Sequence, residues 1–144
     1  RSDMISPSLH ADLFCKPVIN SETDRLTLVE TAISGNPSFF LGTDSAPHPS
    51  REKYGKDAKA GIFNAAYGLE VVAEIFSAEN KLENLATFAS VNGAIFYGYE
   101  PSQENITLHR SPIDPEKATH ISTEMGNQVV LFGAEEASRW TIDS

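Results

Sequence analysis

The chain has 144 residues, 40% of them hydrophobic and 22% charged, a globular composition of about one domain's length. Its 11 Lys and Arg stand against 20 Asp and Glu, for a formal charge of −9. That balance argues against nucleic-acid backbones or anionic membranes as partners, but leaves small anionic substrates open because a local field can oppose the net one. No apolar run approaches the ~18 residues of a membrane span. Cys15 is the single cysteine, which excludes an internal disulfide and a cysteine-rich zinc site and makes a cytoplasmic location the expectation. The opening Arg1-Ser2-Asp3-Met4 has neither an initiator Met nor the order of a signal peptide, so the expectation is a processed chain or one that begins inside something longer.

In chain order, Leu13-Phe14-Cys15, Pro17 and Val18-Ile19 predict a short buried strand, and Ser21 with Asp24 has the spacing of a capping box that opens a helix. Leu26, Val29 and Ile33 fall on one face of that helix, and Gly35-Asn36-Pro37 supplies a left-handed stop followed by a proline. Phe39-Phe40-Leu41 predicts a second strand, so the stretch from Asp12 to Asp44 reads as a parallel βαβ crossover and the fold class as α/β. From Gly42 through Lys59 prolines and glycines break the chain into a long loop, either a functional lid or simply solvated. Ile62, Ala66, Leu69, Ala73 and Phe76 then predict one buried helix face, which is core. A shorter helix is expected at about Lys81–Val91, ended by Asn92-Gly93, with short strands at Ile106-Thr107-Leu108 and Val129–Phe132. No linker, repeat or internal domain boundary interrupts the sequence.

In parallel α/β sheets the loops leaving the carboxyl ends of strands carry chemistry, and Asp44 stands at that end of the Phe39–Thr43 segment with His48 four residues on. A carboxylate there can ligate a divalent metal or act as a general base; equally, it can cap a turn. Pro47 and Pro49 restrict the backbone around His48, which suits either a substrate-binding imidazole or an exposed turn histidine. His10, His109 and His120 lack metal-ligand spacing and read as structural or surface residues, and Cys15 as a buried, inert thiol. Arg51, Lys53, Lys56 and Lys59, interleaved with Glu52 and Asp57, read as a solvated lid more than an anion site.

The run Gly35-Asn36-Pro37-Ser38-Phe39-Phe40-Leu41-Gly42-Thr43-Asp44-Ser45-Ala46-Pro47-His48 resembles dihydroorotase of the shorter, bacterial-type class. In the same order, Arg1-Ser2-Asp3-Met4, Leu13-Phe14-Cys15-Lys16-Pro17, Ala60-Gly61-Ile62-Phe63-Asn64-Ala65, Ser90-Val91-Asn92-Gly93, Phe96-Tyr97-Gly98 and Arg139-Trp140 resemble it too. The resemblance implies that residues 1–144 are the C-terminal portion of a single (β/α)8 amidohydrolase barrel, a fold that needs ~200 residues or more. It implies zinc-dependent, reversible cyclisation of N-carbamoyl-L-aspartate to L-dihydroorotate in pyrimidine biosynthesis, with zinc, binuclear in the complete enzyme, as the cofactor and a homodimer as the assembly. Asp44 matches a zinc ligand that takes a proton from the attacking hydroxide and passes it to the leaving nitrogen. His48 matches a group that binds the substrate's carboxylate, and Leu13 and Ala60 match positions whose main chain touches substrate. The family's His-x-His pair, carboxylated lysine and two further histidine ligands have no counterpart here, and Lys56–Lys59 stands where many members carry a Cys-Gly-Cys stretch. The missing ligands motivate an alternative, a catalytically inactive dihydroorotase-like structural or assembly subunit. A hydantoinase-like or allantoinase-like enzyme fits the Thr43–His48 motif less well.

Overall fold

A computed structural model describes Met4, Ile5 and residues 8–143; the family-like Arg1-Ser2-Asp3 lies outside the described residues. The first helix, α1 (Glu22–Ile33), opens as its sequence dictates. The Ser21 side chain accepts from the Asp24 N–H at 3.3 Å, and the Asp24 carboxylate accepts from the Ser21 N–H at 3.1 Å. Two otherwise orphaned helical donors are thereby satisfied. The helix stops at Ser34, and Gly35 follows with φ +74°, the left-handed turn that a residue without Cβ makes at low cost. Its apolar face is not buried as expected: Leu26 and Leu28 are exposed, and only Ala32 and Ile33, at the C-terminal end, pack on the core.

The one-turn α2 (Ser50–Lys53) interrupts the long loop, and α3 (Gly68–Ala78) is the central helix. The expected helix over Ile62–Phe76 therefore forms only in its C-terminal part. Residues 62–66 are held instead by the preceding loop: Ile62 C=O accepts from Ala46 N–H at 3.0 Å, and Ala65 N–H donates to Ser45 Oγ at 3.2 Å. Ala73 and Phe76 do lie in the core, together with Leu85 and Trp140, and Val72, Phe88, Ala89 and Leu108 pack around them.

Beyond a 3-10 turn at Leu82–Asn84, a π-helical stretch (Thr87–Val91) leads into α4 (Asn92–Phe96). Asn92-Gly93, which the sequence predicts to end this helix, instead lie within it, and the chain continues helically through both residues. The Asn92 side chain is buried and donates to Phe39 C=O at 2.9 Å, which offsets the weak helix propensity of this pair. A π turn shifts the hydrogen bonding by one residue and frees a carbonyl. The Phe88 carbonyl, within that turn, accepts from Leu41 N–H at 3.0 Å.

Among the described residues four short strands follow, with α5 (Ala134–Ala137) between the last two: β1 (Thr107–Arg110), β2 (His120–Ser122), β3 (Gln128–Val130) and β4 (Trp140–Asp143). They form two separate antiparallel pairs, β1 with β4 (Leu108 opposite Ile142) and β2 with β3 (Ile121 opposite Val129). Content is thus α/β, but the expected parallel crossover is absent among the described residues, where the isolated bridge Phe63–Leu131 is the parallel contact. The segments at Leu13–Ile19 and Phe39–Leu41 form no ladder. Phe14 C=O receives Gly61 N–H at 2.9 Å, and Leu41 N–H goes to a helix carbonyl, so neither has a strand running alongside. A strand is a pairing property as well as a hydrophobic pattern. No helix among the described residues is long and apolar enough to cross a membrane.

Candidate active site

The site is built where the Phe39–Thr43 segment turns into the long loop. Asp44 adopts φ +44°, a left-handed conformation that is uncommon outside glycine but more accessible to Asp than to most residues. The backbone before it is anchored by Asn64, whose side-chain amide donates to Thr43 C=O at 2.7 Å, while the buried Asn64 Oδ1 has no partner. The Asp44 carboxylate is exposed. Sequence reasoning did not single out Asn64, although it lies within the Ala60–Ala65 run; nothing in its local spacing distinguishes it from a turn residue.

Gly61 forms the wall between the two halves of the site. Its φ is +148°, and a Cβ there would meet Ala46 O at 2.4 Å and His48 Cδ2 at 3.0 Å, so this close approach requires glycine. On one side lies an open recess of about 310 Å³ lined by Cys15, Thr43, Asp44, Ala60 and Asn64. On the other lies a small recess of about 30 Å³ lined by Asp12, Leu13, His48 and Lys53. The sequence-predicted residues are thus split into adjoining pairs, Asp44 with Ala60 and Leu13 with His48, that share Gly61 and Ile62.

Cys15 is half-buried rather than buried, because its segment lacks a covering strand, and its thiol donates to Pro17 C=O at 3.4 Å. Lys53 is not part of a solvated lid: it is 3% exposed, with its ammonium on the carbonyls of Phe14 (2.6 Å) and Gly61. Burial pushes the Lys53 ammonium below the ordinary lysine value, while Asp12 and Cys15 pull it back up. Next to it, Tyr54 donates to Asp12 Oδ2 at 2.6 Å, and that bond holds the phenol above its usual range, with burial and the Asp12 charge adding to it. His109 pairs with Asp143 at 3.0 Å on the surface, and exposed His120 contacts Thr119.

Among the described residues no three His, Cys, Asp or Glu side chains come together as a metal site. Asp44, exposed, is therefore not part of a three-ligand metal centre among the described residues.

No established family profile matches the chain. In sequence it is 39% identical over 142 residues to a dihydroorotase of Parasynechococcus marenigrum, covering 99% of this chain and 39% of that protein. It is 38% identical to a dihydroorotase of Coxiella burnetii over 144 residues, which is 100% of this chain and 40% of that protein. The fold superposes on the crystal structure of Saccharomyces cerevisiae dihydroorotase in complex with 5-fluoroorotic acid, with a TM-score of 0.84, 30% identity, and coverage of 97% of this chain and 39% of that one. For Campylobacter jejuni dihydroorotase the TM-score is 0.79 and the identity 32%, over 99% and 41% of the two chains. The chain therefore spans about 40% of the length of the curated relatives it matches. Fold and sequence both align it with a segment of cyclic amidohydrolases. The particular enzyme it resembles, along almost its whole length, is dihydroorotase.

Proposed function

We propose that this chain is the C-terminal portion of a single (β/α)8 amidohydrolase barrel, and that the molecule containing it is a dihydroorotase. The reaction is the reversible closure of N-carbamoyl-L-aspartate to L-dihydroorotate. The observation that carries this reading is the Gly42–His48 run, in which Asp44 is presented to an open recess by a left-handed turn anchored from Asn64. In the hydrolytic direction water adds across the ring amide: Asp44 accepts a proton from the attacking oxygen and returns it to the nitrogen as the C–N bond breaks. His48 binds the substrate carboxylate, and the main chain at Leu13 and Ala60 borders the ring. The 5-fluoroorotic acid of the yeast structure is a carboxylated pyrimidine, the ligand class this reading gives the site.

Zinc is the cofactor the resemblance implies, with Asp44 as one ligand. Among the described residues no three ligating side chains converge, so on this reading the other ligands come from the rest of the barrel. A cytoplasmic homodimer without nucleic-acid or membrane partners completes the proposal. The test is turnover of dihydroorotate and N-carbamoyl-aspartate by the intact protein and its Asp44→Asn variant. Loss of most activity with retained folding is expected, because the variant removes the proton carrier. Near-normal turnover would refute the role of Asp44, and absence of turnover in the unsubstituted protein would refute the function.

A further inference from the structure

Two of the four residues placed around the substrate act through their main chain, so their positions depend on what holds the backbone at Leu13 and Ala60. These segments lie far apart in sequence and pair with each other through one bond, Gly61 N–H to Phe14 C=O at 2.9 Å. Each is followed directly by a carbonyl, Phe14 and Gly61, and the same ammonium donates to both: Lys53, 3% exposed, from α2. The Lys53 ammonium also stands 5.9 Å from the centroid of the Phe14 ring. Tyr54, next in sequence, reaches across to Asp12 at 2.6 Å and fixes the other flank of Leu13. A buried ammonium is costly, and here its geometry is matched to two carbonyls rather than to an acidic partner in contact. We infer that Lys53 is a positioning residue for substrate binding, which locks the Leu13 and Ala60 segments at one spacing beside His48.

This inference rests on the dihydroorotase reading above. The test is steady-state kinetics with dihydroorotate on the intact enzyme and on Lys53→Met and Lys53→Gln, with rates referred to folded, metal-loaded protein. Met keeps the length of the side chain without donors, and Gln keeps an amide that reaches one carbonyl. The expected result is a rise in KM of about tenfold for the Met variant, with kcat changed far less and the Gln variant intermediate, since charge-assisted hydrogen bonds to the two segments are lost while Asp44 is untouched. A merely structural lysine would lower the melting temperature and the folded fraction but leave the KM of the folded enzyme unchanged, and that result would overturn the inference alone. If the Met variant does not fold, an unchanged KM in the Gln variant overturns it equally. An unsubstituted enzyme that does not turn over dihydroorotate would overturn the underlying reading, and the inference with it.

Discussion

Gly61→Ala tests the geometry of the site most directly, because the structure states what the added methyl would meet. Its Cβ would lie 2.4 Å from Ala46 O and 2.8 Å from Ala46 Cβ, on a residue whose backbone is tied down by the bond from Ala46 N–H to Ile62 C=O. The φ of +148° adds a conformational penalty of about 1–3 kcal/mol. Overpacking against a fixed carbonyl costs about 1–3 kcal/mol more, and the stiffer unfolded chain returns only about 0.4–1 kcal/mol. A net loss of about 1–6 kcal/mol, centred near ~3 kcal/mol, is therefore expected from the midpoint of denaturant unfolding at constant slope. Gly98→Ala is the control: its φ is +77°, but nothing lies within 4 Å of the added Cβ, so only the backbone penalty of about 1 kcal/mol remains. In the intact enzyme Gly61→Ala is also expected to raise KM, since His48 Cδ2 stands 3.0 Å from the new methyl. Equal losses for the two glycines would refute the steric argument.

Phe76, 1% exposed at the centre of the core, should cost about 3–5 kcal/mol on substitution by Ala, measured in the same unfolding experiment; a loss below about 1 kcal/mol would mean that the core is not where the packing places it. The Tyr54 phenol, raised by its hydrogen bond to Asp12, binds its proton more tightly when folded. The stability from that bond is then fully present below the unfolded phenol value of about 10 and lost as pH rises through the higher folded value. Ultraviolet titration should show Tyr54 and Tyr67, the latter raised by burial and by the Glu70 and Asp114 charges, as late tyrosines, of which Tyr54 alone shifts down in Asp12→Asn; no shift would contradict the contact.

The local features of this chain were legible in its sequence, because their causes lie within a few residues of one another. Ser21 and Asp24 form their box, Gly35 turns left-handed, and Ala73 and Phe76 take the core positions their spacing gives them. The Gly42–His48 run likewise marked the loop that carries Asp44. What the sequence could not decide depends on partners distant along the chain. Apolar residues at 13–19 and 39–41 become a sheet only where a neighbouring strand supplies the other half of the ladder. Asn92 continues a helix because Phe39 offers it a carbonyl. Lys53, in a run of charges that reads as solvated, is buried because the Phe14 and Gly61 carbonyls converge on its ammonium. Spacing encodes caps, turns and faces, whereas the burial of a charge and the pairing of a strand are decided by the groups that tertiary folding brings opposite them.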